Sequence, residues 1–368
     1  MSLPGHRGNI AGRCAERPTR SLGISGAPRA SILKNPFQLV DLQHRRVEYL
    51  RLSVTDRCNF RCTYCMPAAG VDVVPRAELL DFAEMVALTR IFVQLGVRRV
   101  RLTGGEPLVR RDIVDLVAQL AAIPGVDDLA MTTNGHLLAD LAQPLRDAGL
   151  QRLNVSIDTL DPQQFSHVSR GGALQPVLDG IAAAQRAGFA SIKLNAVTLK
   201  GLNDDALVPL CDFAAAQGLV LRLIEYMPIG VDAAWGPETW LPIADARARV
   251  QAAYALEPDE SGEIVGGGPA RYWRGRHRQT GQALRVGFIA AVSEKFCEAC
   301  NRVRLSPTGV LRECLSARGS LSLRDKLRSG ATHDELTAAI RDALAGKVDG
   351  HQYDAAVPTL ESMSAIGG

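Results

Sequence analysis

No apolar run in this chain approaches the ~18–20 residues that a membrane-spanning helix needs, so a helical membrane protein is excluded and no membrane partner is expected. The first residues also lack the ~7–15-residue apolar core of a secretory signal, and the expected location is the cytoplasm. A strong charge of either sign is missing as well. The formal net charge is +3 over 368 residues, and residues 1–35 alone carry six basic side chains against one acid, Glu16. The rest of the chain holds 36 basic and 38 acidic groups. The alkaline character therefore belongs to a tail, and a nucleic-acid-binding body is not implied.

Hydrophobic residues make up 46 % of the chain and charged residues 22 %, which suits a globular protein with a substantial core. Residues 1–40 are rich in Gly, Pro, Ser and Arg with no sustained period and read as a disordered basic extension. A transit peptide, a tag remnant and a natural bacterial extension all fit that composition. From residue 47 short strand patterns alternate with amphipathic helical ones. The expected strands are Glu48–Thr55, Arg99–Thr103, Leu129–Thr133, Arg152–Ile157, Ile192–Thr198 and Val220–Glu225. Ala77–Leu95, Ile113–Ala121 and Asp204–Gln217 read as helices between them. Six strand-then-helix units indicate an α/β protein with a parallel sheet, which a doubly wound sheet and a barrel both satisfy.

The strand faces favour the barrel. Parallel strands covered by helices on both sides should be apolar throughout. Here Arg51 and Ser53 alternate with Leu50 and Leu52, Arg99 and Arg101 with Val100 and Leu102, Asn154 and Ser156 with Leu153 and Val155, and Lys193 and Asn195 with Ile192 and Leu194. One polar, cationic face suits an open lumen that holds a large anionic ligand. Six units rather than eight leave such a (βα)6 TIM-like barrel incomplete and its interior accessible. We place the barrel at residues 41–254, followed by a small β-rich C-terminal region, 255–368.

Cysteine supplies the chemistry. Cys58, Cys62 and Cys65 form a Cys-x3-Cys-x2-Cys loop directly after the first strand, at the end of a barrel strand where active sites assemble. Cys297, Cys300 and Cys314 form a second triplet. Cys211, in an apolar helical stretch, reads as core, and Cys14 as incidental to the tail. Clustered cysteines in a large cytosolic chain read as metal ligands before disulfides. Spacing alone leaves an iron–sulfur cluster and a zinc site both open. Between the second set of cysteines, extended Arg302-Val303-Arg304 points both guanidiniums the same way, as phosphate or purine recognition requires. With Arg51, Arg101 and Lys193, five cations face a common cavity.

The first cysteine loop, with Tyr64 before its last cysteine and Gly104-Gly105-Glu106-Pro107 after the second strand, resembles the radical S-adenosylmethionine (SAM) superfamily. The resemblance implies a [4Fe-4S] cluster with one iron left to chelate SAM, whose reductive cleavage releases a 5′-deoxyadenosyl radical. It also implies close backbone approach at Gly104-Gly105 and a Glu106 carboxylate that accepts from the SAM ammonium.

A narrower resemblance covers residues 41–368. Residues 50–62 (LRLSVTDRCNFRC), the segment 101–107, Thr132-Thr133-Asn134-Gly135, Asn154–Asp158 and Phe296–Ser306 resemble the GTP 3′,8-cyclase family of molybdenum cofactor biosynthesis. That implies two [4Fe-4S] clusters, on Cys58, Cys62 and Cys65 and on Cys297, Cys300 and Cys314. Tyr64, Gly105, Ser156 and Met227 would contact SAM. Arg51, Arg101, Thr132, Lys193, Arg302, Val303 and Arg304 would bind GTP, with Arg51, Arg302 and Arg304 catalytic. In the family reaction hydrogen is taken from C3′ of GTP, the C3′ radical attacks C8, and reduction with protonation yields (8S)-3′,8-cyclo-7,8-dihydroguanosine 5′-triphosphate. The resemblance also implies an external electron donor, a downstream enzyme that takes the cyclised nucleotide, a homodimer, and a terminal Gly367-Gly368 that enters the active site. Two other readings compete: a radical SAM peptide-modifying enzyme with an auxiliary cluster, and a zinc-stabilised protein that binds RNA or membrane through its basic tail.

Overall fold

Six parallel strands follow one another in sequence order across the centre of a single sheet: β1 (Tyr49–Ser53), β2 (Arg99–Thr103), β3 (Asp128–Thr133), β4 (Arg152–Ser156), β5 (Ser191–Thr198) and β6 (Val220–Glu225). The structure, a computed structural model, describes residues 38–230, 235–262, 267–319, 321–351, 353 and 363–366. Residues 1–37 of the basic extension, with Cys14, and the terminal Gly367-Gly368 lie outside them; at its end Leu39 is buried in the core and Val40 bridges to Arg46. Between the strands run α1 (Phe82–Gln94), α2 (Ile113–Ala121), α3 (Leu138–Asp147), α4 (Pro162–Ser169), α5 (Leu174–Arg186) and α6 (Leu207–Ala216). The partial (βα)6 barrel expected from the alternation is therefore present. Among the described residues no helix is long and apolar enough to cross a membrane.

Beyond β6 the chain continues through α7 (Ile243–Ala253), β7 (Tyr254–Pro258), β8 (Arg271–His277), β9 (Ala283–Ile289), β10 (Arg302–Leu305), β11 (Val310–Arg312) and β12 (Leu321–Ser322), and then α8 (Leu323–Arg328), α9 (His333–Ala345) and α10 (Met363–Ile366). These strands build no layer of their own. β9 joins β6 in parallel, β10 joins β1 in parallel, and the sheet reads β12-β11-β10-β1-β2-β3-β4-β5-β6-β9-β8-β7. The physical reason lies in the edges. An open barrel leaves unpaired N–H and C=O groups along its first and last strands, and the C-terminal chain covers both. Strands on either side of residue 254 thus share one sheet.

Side-chain alternation sorts the barrel into an apolar outside and a polar lumen. Leu50, Leu52, Leu102, Leu129, Met131, Leu153, Val155, Leu194, Leu221, Leu223, Val303 and Leu305 are all buried in one core against the helices. On the other face, strand register sets polar partners side by side. Arg51 lies opposite Arg304 on β10 and Arg101 on β2, and Asn154 lies opposite Thr132 and Lys193.

Two helix starts differ from the hydrophobic period. The period runs from Ala77, but α1 begins after Asp81, whose side chain accepts from Glu84 N–H while Glu84 caps Asp81 N–H in return. This reciprocal capping box terminates a helix more decisively than an apolar repeat extends it; Arg76–Glu78 form only a short 3-10 turn. Likewise α6 opens at Leu207, not Asp204, because Asp204 spends its carboxylate on Gly201 N–H in the preceding turn.

Leu305→Ala on β10 should lower stability by about 2–5 kcal/mol and shift one cooperative denaturant transition. A separate early transition for the C-terminal region, with the barrel transition unmoved, would show that β10 is not integral to the sheet.

Candidate active site

The lumen opens into a cavity of about 340 Å³ whose wall includes all six cysteines of the two triplets. The first triplet sits in the loop that leaves β1. Backbone bonds clamp that loop to the turn after β2: Gly105 N–H donates to Thr55 O (2.8 Å) and Glu106 N–H to Arg57 O (2.8 Å). This contact explains the paired glycines. A Cβ on Gly105 would run into the Arg57 carbonyl, and one on Gly104, at φ +155°, would meet Thr55 O. The glycines are therefore demanded by the protein's own backbone before any ligand arrives.

Glu106 is 1 % exposed, and its carboxylate accepts from Leu108 N–H (3.0 Å), Thr133 Oγ1 (2.7 Å) and Asn134 N–H (2.6 Å). Burial still outweighs these bonds and pushes its pKa up to about 7. A cation placed beside it would restore the ionised form. The Tyr64 hydroxyl donates to Asp158 (2.8 Å), whose other oxygen accepts from Val197 N–H, and burial lifts Asp158 to about 6.

The second triplet is held by long-range contacts. Arg45, paired with Asp41, donates to the carbonyls of Cys297 (2.9 Å), Val348 (2.7 Å) and Asp349 (3.1 Å). Lys347 is 3 % exposed and reaches the carbonyls of Arg302 and Glu313 and the Cys300 sulfur (3.7 Å). Burial raises the Cys300 thiol pKa, but the Arg302 and Lys347 charges overcome it and hold it at about 7. In the first triplet burial dominates, with Cys58 raised to about 11 and Cys62 well above the usual thiol value.

Cations cover the wall between the triplets. Arg51, Arg99, Arg101, Arg152, Lys193, Arg222, Arg302 and Arg304 all line it. Burial, followed by the Arg304 charge, drives Arg51 well below its ordinary pKa, while Arg304 and Arg222 fall to about 10 and Lys193 to about 7. Arg101 bonds the Tyr49 hydroxyl and Thr132 (3.4 Å).

Residues 52–214 match the family model "Radical SAM superfamily", and residues 219–353 match "Molybdenum Cofactor Synthesis C". GTP 3′,8-cyclase 1 of Pseudomonas aeruginosa is 48 % identical over 333 residues, which span 89 % of this chain and 99 % of that protein. The GTP 3′,8-cyclase of Pelotomaculum thermopropionicum is 42 % identical over 329 residues, 89 % of this chain and 99 % of its own. The chain belongs to the GTP 3′,8-cyclase family. Among solved structures, Streptococcus suis SuiB bound to precursor peptide SuiA aligns with a TM-score of 0.57 at 14 % identity, over 87 % of this chain and 76 % of that one. That likeness shows a shared fold alone.

A radical SAM cyclase carries a [4Fe-4S] cluster and SAM, and the first triplet fits them. Its three thiols are half-buried and line the cavity. Among the described residues no three His, Cys, Asp or Glu groups converge on a single ion; a cluster instead sets each thiolate on its own iron. Tyr64, Gly105, Ser156 and Met227 stand on the cavity wall, as do Arg51, Arg101, Thr132, Lys193, Arg302 and Arg304. Val303 departs from the set. Its side chain is 1 % exposed, packs into the apolar core and does not face the cavity, because strand alternation turns it away from its two arginine neighbours. Cys211 is core, as expected. Arg152, Arg222, Lys347 and His351 escaped the sequence reading, although Arg222 between Leu221 and Leu223 repeats the alternation that marked the other strands.

Raising the Glu106 pKa on folding makes its protonated form the stabilising one. That contribution is fully present below the unfolded value of 4.5 and is lost as pH rises through about 7. Denaturation of the ligand-free chain between pH 4.5 and 8 should show this loss, and Glu106→Gln should flatten it; an unchanged slope would remove Glu106 as its source.

Proposed function

We infer that this chain is a radical SAM lyase that converts GTP to (8S)-3′,8-cyclo-7,8-dihydroguanosine 5′-triphosphate, the first step of molybdenum cofactor biosynthesis. One observation carries the substrate: Arg304, Arg51 and Arg101 occupy neighbouring register positions on three adjacent strands and face a single lumen, Arg304 and Arg101 buried and Arg51 half-buried. Like charges side by side oppose folding, and a triphosphate is the ligand whose charge answers three guanidiniums at once. Curated relatives that share this chain over 99 % of their length are named for the same reaction.

When bound, the reduced cluster and SAM supply the one-electron chemistry that removes a hydrogen atom from C3′ of the nucleotide. Everything else falls to the chain. Cys58, Cys62 and Cys65 hold the cluster, and Tyr64, Gly105, Ser156 and Met227 hold SAM, with Glu106 available to its ammonium. Arg51, Arg101, Thr132, Lys193, Arg302 and Arg304 grip GTP. Val303 contributes through its backbone alone. Cys297, Cys300 and Cys314 would hold a second [4Fe-4S] cluster, which would offer the guanine an open iron; their thiols on the same cavity and the cationic flank of Cys300 support this. Fixing triphosphate and base at separate points presents C3′ to the radical source and C8 to C3′. That is catalysis by position, and a walled lumen keeps water from the reactive centre.

An external one-electron donor, an enzyme that accepts the cyclised nucleotide, a homodimer and a cytoplasmic setting complete the reading and rest on the family resemblance. The peptide-modifying alternative has only a fold likeness behind it, and the zinc-protein alternative conflicts with the family assignment.

Protein reconstituted without oxygen should hold about eight irons and eight sulfides per chain and release 5′-deoxyadenosine together with the cyclised nucleotide when given GTP, SAM and a reductant. About four irons would remove the second cluster; deoxyadenosine release driven by peptide and not by GTP would overturn the substrate. Arg304→Ala should lower turnover about 100-fold with iron content unchanged, and equal turnover would take Arg304 out of the substrate grip.

A further inference from the structure

Two polar side chains on the cavity wall remain without a task. Glu225 closes β6 at 0 % exposure. Its Oε2 accepts from Val292 N–H (2.7 Å) and Ser293 N–H (2.9 Å), which fixes the segment that leads to Cys297. Its Oε1 is buried with no hydrogen-bond partner. His351 is 6 % exposed and stacks on Tyr353 with ring centroids 4.0 Å apart, and neither ring nitrogen has a partner in good geometry, although the Ala291 backbone faces it. Both residues line the cavity. Burial, then the Lys295 charge, lowers the imidazole pKa, and the Glu225 carboxylate is near enough to act on it.

The other lining acids are answered. Glu106 has three donors and Asp158 two; Glu313 Oε1 is also buried without a hydrogen-bond partner, but the Lys347 and Arg312 charges act on that carboxylate, and among the described residues no ion pair includes Glu225. A buried acceptor is unfavourable unless something supplies a donor, so Glu225 Oε1 is suited to a ligand that carries one. A phosphate cannot serve, because it is itself anionic.

Position narrows the donor further. Tyr226, next in sequence to Glu225, feels the Cys65 thiol of the first triplet. Gly350, next to His351, packs within 3.9 Å of Cys297 Sγ at its Cβ position. The pair therefore shares one cavity wall with both triplets. With hydrogen abstraction at one and guanine at the other, the part of GTP that spans them is the ribose, whose hydroxyls are donors. We propose that Glu225 and His351 form the ribose subsite: Glu225 Oε1 accepts from one ribose hydroxyl and a His351 ring nitrogen from the other. Holding both hydroxyls fixes the sugar's rotation and aims the C3′ hydrogen. This rests on the GTP reading above.

Calorimetry on cluster-loaded, oxygen-free enzyme with GTP, 2′-deoxyGTP and 3′-deoxyGTP tests it. Wild type should bind GTP about tenfold more tightly than at least one deoxynucleotide. Glu225→Gln should weaken GTP by about the same factor and leave that deoxynucleotide unchanged, so discrimination collapses. His351→Asn should do the same for the hydroxyl it reads, and it decides alone if Glu225→Gln fails to load iron. Parallel weakening of all three nucleotides by these variants would mark the residues as scaffold and overturn the subsite. Equal binding of all three by wild type would overturn it while sparing the GTP reading; no binding of any would sink both.

Discussion

Parallel register places Arg304, Arg51 and Arg101 shoulder to shoulder across β10, β1 and β2, and most of the molecule is arranged around the repulsion this creates. Burial and mutual charge depress Arg51 strongly and Arg304 to about 10, so the charged row is unfavourable until an anion meets it. The apolar outer face offsets it, since every strand that offers a cation inward offers Leu, Val or Met outward to the helices. An anionic ligand then gains more from these groups than it would from cations already dispersed in water, because the desolvation has been met during folding. The C-terminal strands are part of this arrangement. β10 supplies one member of the arginine row and follows Cys297 and Cys300, while Cys314 follows β11, so the arginine row and the second cysteine triplet form together with the sheet.

A second coupling runs through backbone. The cysteine loop after β1 and the Gly-Gly-Glu-Pro turn after β2 share two hydrogen bonds and a contact too close for any side chain. The first cysteine loop and the turn after β2 are thus joined as one piece. Glu106 anchors that piece to β3 through Thr133 and Asn134, which joins three successive strand ends at the mouth of the barrel. At the other end of the cavity Arg45 and Lys347 act from far away in sequence, tying the carbonyls around Cys297, Cys300 and Glu313 to the segment after α9.

Much of this was legible in the residues. The six central strands appear within a residue or two of their expected bounds, because alternating Leu/Val with polar groups is a local signal with period two. The five expected cations reach one cavity for the same reason: each lies on an inward strand position. Val303 shows the limit of carrying a motif whole, since the alternation that turns Arg302 and Arg304 inward turns Val303 out. Glu225, Lys347 and His351 were illegible because nothing local distinguishes a buried, cavity-facing acid, lysine or histidine from a solvated one.

The amino-acid sequence by itself determined the chemistry: the thiols, the glycines between closely spaced backbones, and the inward cations, all set by residue type and short-range spacing. Only the tertiary structure decided which edges the C-terminal strands would close, and hence that Arg304 stands beside Arg51 and that both triplets face one lumen. Strand pairing between residues some 250 positions apart depends on hydrogen-bonding edges left open by the rest of the sheet, and no local pattern encodes which edge a strand will find.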